Sequence, residues 1–211
     1  MAIKFCIWDV GQTIYPYRTE PLKIWLGENT QDLAVWREKK DKPFDLKAYM
    51  KGEISDEAFC KNLCQTYGVE YKPSYQVEIN KVLHAGIGKP FTETLETMAE
   101  LEKHGIKNGI LSNALPMLAD TKLDSIKSEY VFTSYALGAL KPQPDIYRKV
   151  QERLGVRPNE ILFVDDKIHN VMVAKDLGSR AVLFKKETVK QECIDAVRFS
   201  QWRDLVSRGG R

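Results

Sequence analysis

Short apolar runs alternate with amphipathic stretches along most of the 211 residues. The runs at 3–8, 108–111, 130–133, 161–164 and 180–184 are rich in β-branched, aliphatic and aromatic side chains. Near-continuous apolar strands this short are what a parallel sheet covered on both faces requires, because neither face of such a strand meets water. Between the later runs the apolar period lengthens to that of a helix. Phe91, Leu95, Met98 and Leu101 form one apolar stripe, and Gly105 supplies its stop. The segment 144–154 opens on Pro144 and closes at Gly155, and 170–177 closes at Gly178. Strand and helix in alternation predict an α/β fold with a doubly wound, Rossmann-like parallel sheet, whose crevice lies at the carboxyl ends of the strands.

Residues 16–88 break the alternation. They hold no strand-like run and predict five short helices over 21–27, 30–40, 44–51, 56–67 and 74–85. Ser55 is placed to cap the fourth, with Asp56 and Glu57 in its first turn. Pro16 and Pro21 on one side, and Gly86, Gly88 and Pro90 on the other, bracket the block. The expected organisation is an α/β core of residues 1–15 plus 89–206, a helical cap domain at 16–88 inserted after the first strand, and a flexible tail at 207–211. No internal repeat or low-complexity stretch is present.

Composition narrows the function classes. The chain is 43% hydrophobic and 29% charged, with 32 basic and 29 acidic side chains, so nothing in the balance demands nucleic acid or an anionic membrane as partner. The nearest basic run, Arg37 to Lys42, is interrupted by Glu38 and Asp41. No apolar run reaches the roughly 18 residues of a membrane span, and Lys4 and Asp9 break the stretch where a leader's apolar segment would lie. Cys6, Cys60, Cys64 and Cys193 form no CxxC pair and read as buried reduced thiols. A cytoplasmic location is expected.

Four clusters end strands or follow one closely: Asp9-Val10-Gly11-Gln12-Thr13, Ser112-Asn113, Lys141-Pro142, and Asp165-Asp166 with Asn170. Each alone is weak, since a single Asp at a strand end is commonly a turn residue and Lys-Pro is usually a loop. The Asp165-Asp166 pair says more. Two adjacent acids at a buried strand end repel, so a cation should offset them, and carboxylate oxygens suit Mg²⁺.

Together, in order and spacing, the four clusters resemble the haloacid dehalogenase superfamily of hydrolases, and the resemblance runs through the whole chain. Within it the chain resembles the α-glucose-1-phosphate phosphatase-like branch, which also carries Gly two positions after the nucleophile and a stretch similar to Gly-Glu-Ile-Ser-Asp-Glu-Ala-Phe at 52–59. The resemblance implies a Mg²⁺-dependent phosphatase that cleaves small phosphomonoesters, sugar 1-phosphates among them, through an aspartyl phosphate. Asp9 would be the nucleophile. Ser112 and Asn113 would donate hydrogen bonds to the phosphoryl oxygens. Lys141 would offset the charge of Asp9 and of the phosphate. Asp9, Asp166 and the carbonyl of Gly11 would hold Mg²⁺, with Asp165 and Asn170 supporting. The partner would be a small phosphorylated metabolite, bound by a monomer or weak homodimer.

One position departs from the pattern. Most phosphatases of this superfamily carry a second Asp where Gly11 stands, to protonate the leaving group and later activate water. General acid–base help is worth about 10²–10⁴-fold, or about 2.7–5.4 kcal/mol of barrier. A substrate hydroxyl or water could supply the proton, another side chain such as His169 could reach in, or the substrate could carry a good leaving group. The third expectation is the preferred one. Two rivals remain: a catalytically weak phospho-ligand-binding or regulatory protein on the same fold, and a 2-haloacid dehalogenase, whose chemistry needs no metal and which usually lacks the acidic pair. Tyr17 or Arg18 could line the pocket. Trp25, Trp36, Tyr49 and Phe59 are expected to be mostly cap core, with one or two facing substrate.

Overall fold

The computed structural model describes residues 2–42, 44–119, 126 and 128–209. Five parallel strands form one sheet: β1 (Phe5–Trp8), β2 (Lys107–Ser112), β3 (Tyr130–Thr133), β4 (Ile161–Asp165) and β5 (Arg180–Leu183), in the order β3-β2-β1-β4-β5. β1 is central, with Phe5 opposite Lys107 on one side and Ile161 on the other. The chain runs outward from β1 to β3, then returns to the far side of β1 and runs outward again, so the topological switch lies between β1 and β4. A switch point at the carboxyl ends of parallel strands is where such sheets bind ligands.

The alternation of side chains along a strand divides each strand between two cores. Cys6 and Trp8 of β1, with Leu162 and Val164 of β4, face a core closed by α6 (Thr92–Lys103) and α10 (Val189–Gly209). Phe5 and Ile7, with Ile161 and Phe163, face a core closed by α7 (Ser134–Leu137), α8 (Pro144–Leu154) and α9 (Ile168–Asp176). Both faces are therefore dry, which is why the strands read as unbroken apolar runs. The expected stops hold locally: Pro144 opens α8, and Gly155 ends it in the left-handed region at φ 63°.

Between β1 and α6 lie α1 (Glu20–Asn29), α2 (Leu33–Lys39), α3 (Lys47–Met50), α4 (Asp56–Thr66) and α5 (Tyr75–Ala85). Ser55 accepts from the Ala58 amide at 3.2 Å and caps α4. α2 begins later than the periodicity predicts, because Asp32 caps it by accepting from Ala34 and Val35, both at 3.0 Å. The five helices share a core that includes Trp25, Phe59 and Leu63 and also takes Leu115 and Met117 from the loop after β2. Tyr49 ties the two regions together: its hydroxyl donates to Asp56 at 2.6 Å and accepts from the Met117 amide at 3.0 Å. The segments entering and leaving the insert cross as an antiparallel bridge, Tyr17 to Ile87. A β-carbon at Gly86 would lie 2.3 Å from the Arg18 carbonyl, and one at Gly88 2.6 Å from Pro16, so both glycines are demanded by the crossing.

Two features depart from the sequence reading. The C-terminal segment forms α10, of which Val189, Cys193 and Val197 are buried one turn apart, and Ser200 accepts from the Ile3 amide at 3.1 Å. Its backbone stays helical through 209, where a flexible tail had been expected from 207, because i→i−4 bonds continue the helix past its packed part. Residues 210 and 211 lie outside the described residues. Thr94 and Thr97, polar in the α6 pattern, are fully buried; Thr94 donates to the Thr13 carbonyl at 2.6 Å and fastens α6 to the loop after β1.

Glu160 sets the start of β4 against β1. Its carbonyl accepts from the Lys4 amide at 2.8 Å, and its carboxylate accepts from the Arg157 amide at 2.9 Å and pairs with Lys4 at 2.8 Å. The hydrogen bond from Lys4 leads in holding its pKa below the ordinary carboxylate value. A group that binds its proton less tightly when folded stabilises the fold above its unfolded pKa, roughly 4.3, and loses that effect as pH falls through the lower folded value. Glu160→Gln should therefore cost about 1–2 kcal/mol in urea unfolding at pH 7. The gap to wild type should close as the pH drops below the ordinary carboxylate range.

Candidate active site

Strand ends bring the four sequence clusters together. The Asp9 amide donates to the Val164 carbonyl at 2.8 Å, which carries the β1–β4 pairing one residue past the strand and sets Asp9 beside Asp165, the last residue of β4. The loop that follows turns sharply: the Val10 carbonyl accepts from the amides of Ile14 and Tyr15 at 2.9 and 3.0 Å. Gln12 sits in the left-handed region at φ 60°, a conformation that costs a residue other than glycine about 1–2 kcal/mol. Its amide donates to the Tyr15 carbonyl at 2.7 Å and its side chain to the Tyr17 carbonyl at 2.8 Å, and these hold the turn.

Lys141 is the electrostatic centre. Its Nζ lies 2.5 Å from Asp9 Oδ1 and 2.6 Å from Asp165 Oδ2. Lys141, Asp9 and Asp165 retain only 7, 9 and 4% of their exposure. Burial works to lower the pKa of Lys141, but the two carboxylates outweigh it and hold it above the ordinary value. Burial pushes the Asp9 carboxyl up to about 6; Lys141 pulls it down, and the negative charges of Asp165 and Asp166 push it up again. Burial, with Asp165 second, also raises Asp166.

Asp165 and Asp166 differ in what their oxygens do. Asp165 Oδ2 takes Lys141, while its Oδ1 accepts from Asn170 Nδ2 at 2.8 Å and from the Lys167 amide at 2.9 Å. Both oxygens are thus occupied. Asp166 Oδ1 is buried with no hydrogen-bond partner. Carboxylate oxygens of Asp9, Asp165 and Asp166 lie within 4.8 Å of one another. Three carboxylates against one ammonium leave an excess of two negative charges, and hard oxygen donors with one oxygen unpaired fit a divalent cation of the Mg²⁺ type. Asp9 and Asp166 are placed to hold it, with the Gly11 carbonyl beside them in the chain. Asp165 is placed to position Lys141 and Asn170.

Asn113 is placed differently from the expectation. Its Oδ1 accepts from the Lys141 amide and its Nδ2 donates to the Lys141 carbonyl, both at 2.9 Å. The side-chain amide clamps the lysine loop through its oxygen and one of its two Nδ2 hydrogens, which leaves the second hydrogen and the backbone amide as donors. Ser112, at the end of β2, is buried and lines the same cavity. The cavity has a volume of about 750 Å³, with Asp9, Gly11, Ser112, Lys141, Asp166 and Asn170 at its floor and the helical insert above.

Gly11 itself is unconstrained. A β-carbon there would meet nothing within 4 Å, and Gly11 is not among the glycines with positive φ. Neither packing nor backbone demands glycine, so the place of a second acid is open space. His169 does not fill it, for that residue is exposed and lies outside the cavity lining. Tyr17 lines the cavity and Arg18 does not. Of the four insert aromatics, Trp36 and Phe59 face the cavity, while Trp25 and Tyr49 are core. Sequence reasoning missed the clamp by Asn113, the strained Gln12 and the loop residues Leu115 and Leu118 in the cavity wall.

A family model described as haloacid dehalogenase-like hydrolase matches residues 40–184, which include every site cluster except the first. The chain is 28% identical over 210 residues to the (S)-2-haloacid dehalogenase of Xanthobacter autotrophicus, covering 91% of this chain and 80% of that protein. It is 30% identical over 95 residues to a glyceraldehyde 3-phosphate phosphatase of Pyrococcus furiosus, covering 43% of this chain and only 40% of that protein. A crystal structure of the enzyme bt-2542 from Bacteroides thetaiotaomicron, in complex with magnesium and inorganic phosphate, shares the fold with a TM-score of 0.70 at 21% identity, covering 87% of this chain and 95% of that one.

Removing Lys141 should strand two buried carboxylates. Lys141→Met is expected to cost about 3–5 kcal/mol of stability in metal-free buffer at pH 7. Adding Asp9→Asn should recover a substantial part, because one of the stranded charges is then gone. Chemical unfolding of the two single variants and the double variant measures that coupling.

Proposed function

Because the chain belongs to the haloacid dehalogenase-like hydrolase family, we propose that it is a Mg²⁺-dependent phosphohydrolase of phosphomonoesters with Asp9 as nucleophile. One observation carries the reading: of two adjacent acids, Asp165 is fully hydrogen-bonded while buried Asp166 Oδ1 has no partner beside Asp9. A site whose charge closes only with a cation suits the transfer of a phosphoryl group, whose own negative charge must also be offset. The phosphatase relative adds support, and four free, buried cysteines suit a reducing cytoplasm.

In this mechanism one carboxylate oxygen of Asp9 attacks phosphorus. The bond between phosphorus and the leaving oxygen breaks as the new one forms, giving an aspartyl phosphate, and the departing oxygen takes its proton from water. A second water then attacks phosphorus, the bond to Asp9 breaks, and inorganic phosphate departs with the carboxylate restored. Lys141 keeps Asp9 ionised and oriented, and its charge is offered to the phosphoryl group. Ser112 donates a hydrogen bond to a phosphoryl oxygen. Mg²⁺ held by Asp9, Asp166 and the Gly11 carbonyl would supply the remaining charge stabilisation. With Gly11 contributing no acid, substrates whose leaving groups depart readily as anions are favoured.

A second reading, hydrolytic removal of halide from a 2-haloacid, draws on the dehalogenase relative. The unpaired Oδ1 of Asp166 counts against it, since that chemistry gives the acid no task and an idle buried carboxylate oxygen costs stability.

Purified protein should hydrolyse p-nitrophenyl phosphate with Mg²⁺, and both EDTA and Asp9→Asn should silence it. Turnover of a 2-haloacid that survives EDTA would transfer the assignment to the dehalogenase reading. A wild type as silent as Asp9→Asn on every phosphate ester would leave a binding protein.

Across phosphomonoesters, kcat/KM should fall steeply as the leaving-group pKa rises. Gly11→Asp, whose side chain enters open space, should flatten that dependence and raise turnover of alkyl phosphates by up to about 10²-fold. An unchanged slope in the variant would show that residue 11 does not face the leaving group.

A further inference from the structure

The cavity above Asp9 is divided by polarity in a way that bears on the leaving group. Charged side chains gather at two places, and Gln12, Tyr17, Thr19, Thr133 and Tyr135 add hydrogen-bonding groups elsewhere in the lining. Asp9, Ser112, Lys141 and Asp166 form the floor, and Lys23, Lys40, Asp41 and Lys42 stand at the outer edge, all four exposed. One long stretch of the wall is apolar. Leu22, Trp36, Phe44 and Leu46 line it and are only half-buried, so they present free surface, and Phe59 and Leu63 close it from behind. The Tyr67 hydroxyl in this wall is already spent on the Lys42 carbonyl at 3.2 Å. Three of the four outer charges are paired: Lys23 lies 3.7 Å from Asp41, and Lys42 is 2.9 Å from Glu38.

A sugar lying along the stretch formed by Leu22, Trp36, Phe44 and Leu46 would press hydroxyls against side chains that return no hydrogen bonds, and each unmatched hydroxyl counts against binding. The volume of about 750 Å³ is in the range of sites that enclose a whole small organic molecule. Together with the missing acid at Gly11, the wall selects for a leaving group that is apolar and departs as a stabilised anion.

Resting on the phosphohydrolase reading, we propose that the substrates are phosphomonoesters of apolar alcohols with low leaving-group pKa, aryl phosphates foremost. The phosphate sits on the floor, and the ring with its alkyl substituents lies along the wall formed by Leu22, Trp36, Phe44 and Leu46. This departs from the sugar 1-phosphates that the sequence resemblance suggested.

The test is a series with one kind of leaving group and growing apolar length: phenyl, 4-ethylphenyl, 4-butylphenyl and 4-hexylphenyl phosphate, beside acetyl phosphate and glucose 1-phosphate. The alkyl phenols share nearly one pKa, so any trend reports burial and not chemistry. The expected result is a rise in kcat/KM of about threefold per methylene until the cavity is filled, with glucose 1-phosphate below phenyl phosphate. Leu22→Gln and Leu46→Gln, on different segments of the wall, should each cut the ratio of hexylphenyl to phenyl turnover about tenfold. Two variants keep the result independent of how either one folds. Turnover of acetyl phosphate with a flat or falling alkyl series, or with glucose 1-phosphate preferred, overturns the apolar assignment and leaves the phosphohydrolase reading standing. Failure on every ester, acetyl phosphate included, overturns the phosphohydrolase reading itself.

Discussion

The pairing of one buried lysine with two buried carboxylates is the constraint around which the rest is arranged. Lys141 lies within 2.6 Å of oxygens on both Asp9 and Asp165, in a place nearly closed to water. At such distances and low polarity, an unpaired charge of either sign would be untenable. The parallel sheet makes the pairing possible. β1 and β4 are neighbours with the same direction, so their terminal acids emerge side by side, and the switch in strand order leaves room above them. The lysine comes from the loop beyond β3, and Asn113 at the end of β2 grips its backbone at both amide and carbonyl. Two strand ends thus meet on one ammonium group, and a third holds the backbone that carries it.

What Lys141 does not neutralise is as informative as what it does. Asp165 takes up the remaining hydrogen bonds from Asn170 and Lys167 and becomes part of the frame. Asp166, one residue later, turns away from that frame and keeps a buried oxygen without a partner. One acid is fully engaged by its surroundings and its neighbour keeps a buried oxygen unengaged, although both are the same residue type in adjacent positions. The difference comes from what β4 and the start of α9 place around each.

The sheet was legible because its strands are buried on both faces and so show uninterrupted apolar runs; all five appear within a residue or two of their expected places. The acids of the candidate site were legible for a similar reason, since a strand that ends in Asp or Asp-Asp marks its own carboxyl end. Other features had no local signal. Asn113 and Lys141 are 28 residues apart, and nothing near either announces the clamp. His169 sits next to Asn170, but adjacent helical positions point about 100° apart, so one is exposed while the other is buried in the site. α10 hid because its inward stripe of Val189, Cys193 and Val197 ends at polar Ser200, while Phe199, Trp202 and Leu205 on its later turns are exposed and blur the pattern. The cavity wall draws on several separate segments, and no one of them reads as a binding surface.

Gly11 and the apolar wall bear on each other. A missing acid requires the leaving oxygen to depart with its charge, and a poorly hydrated cavity makes a localised charge expensive. An alkoxide fails on both counts. A phenolate spreads its charge over a ring that the wall also favours as apolar surface, so one class of leaving group answers both conditions. The openness around Gly11 strengthens the point, for a β-carbon there would meet nothing within 4 Å. Its absence is therefore not a packing compromise, and an acid in that place would put a further charge at the edge of an apolar wall, beside a cluster that already carries an excess of negative charge.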